Sequence, residues 1–280
     1  MIEVISNEEA RDLLSVKRQD PEPVKNEVTS FDTYIPVNAL PSGFKGYPEG
    51  TKISYKPITL GELEALNSGE PDIERGIAML LKSIHCNTLN AEELYYWDVM
   101  YIGIQRKLLA FGDTRGTLYT QCENCGEIIQ RDFEFTELEF KECEAPDLPI
   151  LTNICGVDVE ISLLTIKDFL ELDLNKGELD VYARMIKNLD YNTAFELISN
   201  ATGKEAKKIR FIDRQLNYGL KPLKAKCNGI IQTVDEATNK QKQVKCNQTV
   251  KVEVRSPFEV VFPEDILDGC DEFEIQYGRK

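Results

Sequence analysis

Cys122-Glu123-Asn124-Cys125-Gly126 is the stretch on which the reading of this chain turns. Cys-x-x-Cys puts two thiols on one side of a common point, and the glycine after it lets the turn close. A second pair, Cys227 and Cys246, follows about a hundred residues later. The same order of signals leads into the first cysteine of each pair. Gly50 to Thr59 and Gly156 to Thr165 are each nine steps, Thr59 to Cys122 is 63, and Thr165 to Cys227 is 62. Two like halves, each ending in a thiol pair, predict an α+β chain of two pseudo-repeated lobes. They share one zinc-ribbon-like four-cysteine site.

Each lobe is expected to hold an opening strand, a helical body and a cysteine-bearing closing strand. In the first, Ile53-Ser54-Tyr55 alternates as a strand does, and Thr59 with Glu62 has the form of a capping box. In the second, Val157-Asp158-Val159-Glu160-Ile161 and Thr165 with Asp168 repeat the pattern at an offset of 106. Ile73, Ile77, Leu80 and Ile84 fall at helical spacing. Asn90 and Glu93 are expected to cap a longer, deeply buried helix through about Phe111, stopped by Gly112. Ile209, Ile212 and Leu216 form a further apolar stripe. Ile129, Arg131, Phe133 and Phe135 read as a strand leaving the first cysteine turn, and Val250, Val252 and Val254 as one leaving the second. The polar segment between Cys227 and Cys246 reads as an inserted hairpin, residues 229–243. The boundaries are an extended arm over 1–49, broken by five prolines, a first lobe over 50–147 and a second over 148–280.

Composition narrows the function. The chain has 280 residues, 42% hydrophobic and 29% charged, with a net charge of −15. Such a surface repels phosphate backbones and anionic membranes, so neither nucleic acid nor membrane insertion is expected. The first residues lack the basic start and apolar run of a signal peptide. Eight cysteines without one suit a reducing compartment, where metal ligation is the better default than disulfides. Cys122, Cys125, Cys227 and Cys246 are therefore assigned as ligands of a structural zinc. A redox role for Cys122 and Cys125 is disfavoured because β-pattern follows them where a thioredoxin-like motif opens a helix. Cys86, Cys143, Cys155 and Cys270 read as buried small apolar residues. His85, the only histidine, is placed on a helix beside Cys86, and neighbours on a helix do not face each other. No phosphate loop, nucleophile elbow or His-Glu-x-x-His is present, and no catalytic residue is assigned. Lys204, Lys207, Lys208, Arg210 and Arg214 lie along one helical segment and read as a docking surface for an acidic partner, another copy included, or as a solvated face.

The first lobe resembles the baseplate hub assembly proteins of T-even-like contractile-tailed phages. The resemblance runs from Ser54-Tyr55-Lys56-Pro57-Ile58-Thr59 through Trp97-Asp98-Val99-Met100-Tyr101-Ile102, Arg106 and Gly112 to Leu118-Tyr119-Thr120-Gln121 and the first cysteine turn. It implies a non-enzymatic role in building a tail baseplate hub and leaves open whether the subunit stays in the virion or departs as a chaperone. The expected location is the virion's tail baseplate, after assembly in the host cytoplasm. The implied partners are other hub, tail tube or tape-measure proteins, and a homo-oligomer is among the expected states. The alternatives are a transient assembly chaperone for the tape-measure protein and a Cys-x-x-Cys thiol oxidoreductase.

Overall fold

The structure, a computed structural model, describes residues 34–59, 61–62, 73–112, 115–235 and 240–252. It is mixed α+β, with short antiparallel sheets set around helices. Strands β1 (Ile35–Pro36), β2 (Ile53–Tyr55) and β3 (Ile84–Cys86) form one sheet in that order. Helix α1 (Ile73–Ser83) runs directly into β3. The apolar spacing that predicts one helix through Ile84 continues in register across that junction, so it does not mark where the helix ends. Cross-strand pairing does: Ile84 sits opposite Tyr55 and Cys86 opposite Ile53.

Helix α2 (Tyr96–Phe111) is the centre of the fold. Val99, Met100 and Ile102 are fully enclosed, and Ile104 nearly so. It starts later than the sequence suggests. Glu93 does accept the Asn90 amide (2.9 Å), but that box closes only a short turn over Ala91–Glu93. Leu94 and Tyr95 are then extended, because their backbone is held by the far half of the chain. The Tyr96 amide donates to Leu164 O and the Ile166 amide to Leu94 O, both at 2.9 Å. Gly112 ends the helix at a φ of +70°, where glycine carries no Cβ penalty.

Residues 34–49, part of the expected arm, pack against this helix. Asp98 in its first turn is wholly buried, accepting the Ser42 amide (2.9 Å) and the Tyr47 hydroxyl (2.8 Å). Tyr47 in turn accepts the Tyr95 amide and stacks on the Tyr95 ring. Arg106, near the other end, is equally buried. Its Nε donates to Lys56 O (2.6 Å), and one terminal nitrogen reaches both oxygens of Glu62 (3.2 Å). Glu62 itself accepts from the Thr59 amide, so arginine and capping box are one network.

Beyond α2 come the hairpin β4 (Arg115–Gln121) and β5 (Ile128–Glu134), then β6 (Phe140–Lys141) and the hairpin β7 (Ile150–Ile154) and β8 (Val157–Ile161). Phe135, expected in the strand, instead opens a 3-10 turn over Phe135–Glu137. Thr165 caps α3 (Ile166–Leu170) with its predicted box: Asp168 N donates to the hydroxyl (3.1 Å), and Asp168 accepts the Thr165 amide (2.9 Å). Helices α4 (Glu178–Met185), α5 (Tyr191–Ser199) and α6 (Lys204–Leu216) follow, with Ile209, Ile212 and Leu216 buried as their spacing predicts. Strand β9 (Gly219–Leu220) pairs with β6, and β10 (Leu223–Lys226) with β13 (Thr249–Val252). Between them lies a separate hairpin, β11 (Ile230–Asp235) and β12 (Lys240–Lys245). Val254 lies outside the described residues.

The core falls into two large clusters and one small one. The first surrounds α2 but includes Ile166 and Val252; the second holds β7, β8 and α4 to α6 but includes Tyr95. The third consists of Cys122, Ile129 and Cys227, with Cys125, Ala225, Cys246 and Val250 against it.

Candidate metal centre

Two backbone turns of matching form build the cysteine cluster. In the first, the Cys122 amide donates to Glu127 O and the Gly126 amide to Cys122 O, both at 2.8 Å. Gly126 adopts a φ of +76°, and the Gln121 side chain closes the turn on Gly126 O (3.0 Å). In the second, the Cys227 amide donates to Gln248 O (2.8 Å). Asn247, one residue after the second cysteine as Gly126 is, adopts a φ of +50°. The hairpin enters between Gly229 and Cys246, whose amide donates to Gly229 O at the hairpin's base. Its strands, Ile230–Asp235 and Lys240–Lys245, begin and end a residue or two beyond the expected 229–243, because that hydrogen bond sets the register with Ile230 opposite Lys245. With residues 230–245 set aside, Cys227 and Cys246 stand three positions apart, as Cys122 and Cys125 do.

The four sulfurs lie within 4.8 Å of one another, the only such group of three or more potential ligands among the described residues. Cys122 Sγ is 3.8 Å from Cys246 Sγ, and Cys125 Sγ is 3.3 Å from Cys227 Sγ. Each close pair therefore joins one turn to the other. A disulfide would hold its sulfurs at about 2.05 Å, and the described cysteines are free. A tetrahedral zinc with Zn–S bonds of about 2.3 Å separates its ligands by about 3.8 Å, the scale seen here. Cys122 and Cys227 are enclosed, while Cys125 and Cys246 are half-buried.

The surroundings fit a thiolate cluster. Asn124 Nδ2 donates to Cys246 Sγ and the Gly229 amide to Cys227 Sγ, each at 3.4 Å. Backbone amides, that of Cys125 first, hold the Cys122 thiol down at about 7. Cys227 is pushed up to about 12: the Gly229 amide favours its thiolate, but burial and the other three sulfurs outweigh it. Four thiols this close cannot all ionise without a cation among them, and a bound cation would deprotonate them together. Gly229 leaves room for the cluster. A Cβ there would stand 2.7 Å from Cys125 Sγ and 2.9 Å from Glu127 Cβ. Sequence reasoning missed both Gly229 and Asn247; the signal was Cys-Asn-Gly ahead of an insertion and Cys-Asn after it.

The remaining candidates lie elsewhere. His85 is in β3, not on a helix; it is exposed and packs on Tyr34 with ring centroids 5.6 Å apart. Cys143 is buried as expected and Cys86 half-buried. Cys155 is exposed, because it occupies the tight β7–β8 turn at a φ of +50°. Cys270 lies outside the described residues. On α6, Lys208 is committed to Asn153 O (2.6 Å), whereas Lys204, Lys207, Arg210 and Arg214 are exposed. A strand follows the Cys-x-x-Cys turn, not a helix. Among the described residues, no helix is long and apolar enough to cross a membrane.

A family model described as T4 bacteriophage base plate protein matches residues 33–255. The chain belongs to that family. No curated protein and no solved structure matches it. Membership implies a component of the phage tail baseplate that contacts other tail proteins.

Proposed function

We propose that this baseplate protein is a non-enzymatic structural and assembly subunit of the tail's central hub, and that one structural zinc closes its two cysteine turns. The observation that carries the reading is the convergence of four sulfurs, two from each turn, within 4.8 Å. Soft thiolates suit zinc, and four protein ligands leave no open position for a substrate or water. Cys122, Cys125, Cys227 and Cys246 would hold the ion, which ties together segments about a hundred residues apart. Such sites contribute on the order of 10 kcal/mol to folding. The hub assignment is supported by the family and by the resemblance carried from Ser54 to Gly126. In this role the chain presents surfaces and its metal supplies rigidity.

Quantitative mass spectrometry of purified phage tails tests the structural role. Fixed stoichiometry in tails, together with loss of baseplates when the gene is inactivated, is the expected result. A chain required for assembly but missing from finished tails would overturn the structural reading in favour of a chaperone for the tape-measure protein.

A further inference from the structure

The second cysteine-bearing segment departs in charge from the rest of the chain. Residues 221–251 hold seven lysines against two carboxylates, so the net −15 divides into +5 here and −20 elsewhere. Strand alternation sorts these lysines. Leu223, Ala225, Val250 and Val252 pack inward, which leaves Lys224, Lys226 and Lys251 exposed on the other face of the β10–β13 pair. Lys224 stands directly opposite Lys251 in the register. Like charges facing each other across strands destabilise the sheet. Lys245, beside Cys246, adds a fourth exposed cation. Among the described residues none of these four forms an ion pair, a state they share with the exposed Lys52, Lys82, Lys167, Lys204 and Lys207; what sets them apart is that two of them face each other across one strand pair.

We propose that this lysine face is an interface, and that its occupant is the acidic surface of a second copy of the chain. Charge complementarity selects the occupant. The free sheet carries a repulsion between Lys224 and Lys251 that carboxylates from outside would relieve, while the chain's other residues supply a surplus of carboxylates. A basic face cannot pair with itself, so the contact is heterologous, head to tail, and suits a ring. Nucleic acid is the competing polyanion, and binding of a DNA duplex separates it from a second copy. The inference goes beyond the hub reading and does not depend on which metal fills the cysteine site.

Sedimentation velocity on the full-length chain tests it, at about 50 mM and about 500 mM salt, where screening lengths differ several-fold. The expected result is a species larger than the monomer that grows with concentration at low salt and dissociates at high salt. The Lys224→Gln/Lys226→Gln/Lys251→Gln variant should stay monomeric in both, with unchanged circular dichroism and metal content. Its unfolding midpoint at low protein concentration should rise, since the cross-strand repulsion is gone. A monomer under all conditions, or association that persists in the triple variant, would overturn the proposal. Binding of a fluorescent DNA duplex by a monomeric chain, lost in the triple variant, would overturn it in favour of a polyanion.

Discussion

Gly229→Ala puts the geometry of the cysteine cluster to a quantitative test. The new Cβ would stand 2.7 Å from Cys125 Sγ, 2.9 Å from Glu127 Cβ and 3.3 Å from Cys227 Sγ. Ordinary contacts of this kind need about 3.5–4 Å, so a sulfur or the adjoining backbone must move by roughly 1 Å. Neither is a free side-chain end: Cys125 lies in the closed first turn, and Glu127 O receives the Cys122 amide. Overpacking of this order costs about 1–3 kcal/mol. If the strain is released when the metal leaves, zinc affinity falls by about 5- to 150-fold, at 1.4 kcal/mol per decade. Competition with a chelating indicator measures this directly. Asn228→Ala, at an exposed neighbour, serves as the control and should bind as wild type. Unchanged affinity in Gly229→Ala would refute the claim that metal and glycine share this space.

The backbone after each second cysteine makes a paired prediction. Asn247→Gly should stabilise by a few tenths to about 1 kcal/mol, and Gly126→Ala should cost about 1 kcal/mol, because both positions have positive φ; urea unfolding of the loaded chain checks both. Burial raises the Asp98 carboxyl to about 6, against the Ser42 and Tyr47 hydrogen bonds that lower it. Its folded form holds a proton that its unfolded form has lost, so its contribution is full below about 4 and is lost as pH rises to about 6, at up to about 1.4 kcal/mol per unit. Asp98→Asn should abolish that fall in the unfolding free energy over about pH 4–6, read from denaturant titrations at each pH. Lys107 is held down at about 7 by burial. Its unfolded form binds the extra proton, so stability should climb from pH 7 towards 10, and Lys107→Met should flatten the climb in denaturant titrations. Arg106→Lys cannot span Lys56 O and both Glu62 oxygens together; a loss of about 2 kcal/mol in the unfolding free energy is expected.

The parts legible in the sequence are those set by short-range chemistry. The thiol spacing picked out all four residues that converge, and the Thr59–Glu62 and Thr165–Asp168 boxes form because cap and carboxylate are three residues apart. The burial of α2 was visible in apolar residues on more than one face. Long-range pairing was not legible. Ile84 to Cys86 leave the helix because β2 offers a partner, and Leu94 and Tyr95 stay extended because Leu164 and Ile166 hold them. Residues 34–49 join the body through the buried Asp98, a position whose spacing carries no such signal. Gly229 escaped notice because its constraint is a sulfur from the opposite turn. The two capping boxes and the two cysteine turns are alike, but β2 is the middle strand of a three-stranded sheet while β8 belongs to a two-stranded sheet with β7, and both large core clusters draw residues from either side of the expected 147/148 boundary.

The most direct test of the central claim is metal content by elemental mass spectrometry on the freshly purified, reduced full-length chain, with Cys122→Ser and Cys246→Ser beside it. The account predicts one zinc per wild-type chain and none retained at stoichiometric level in either variant, since each removes a ligand from a different turn. A folded wild-type chain without metal, or a Cys246→Ser variant that keeps its zinc, would contradict it.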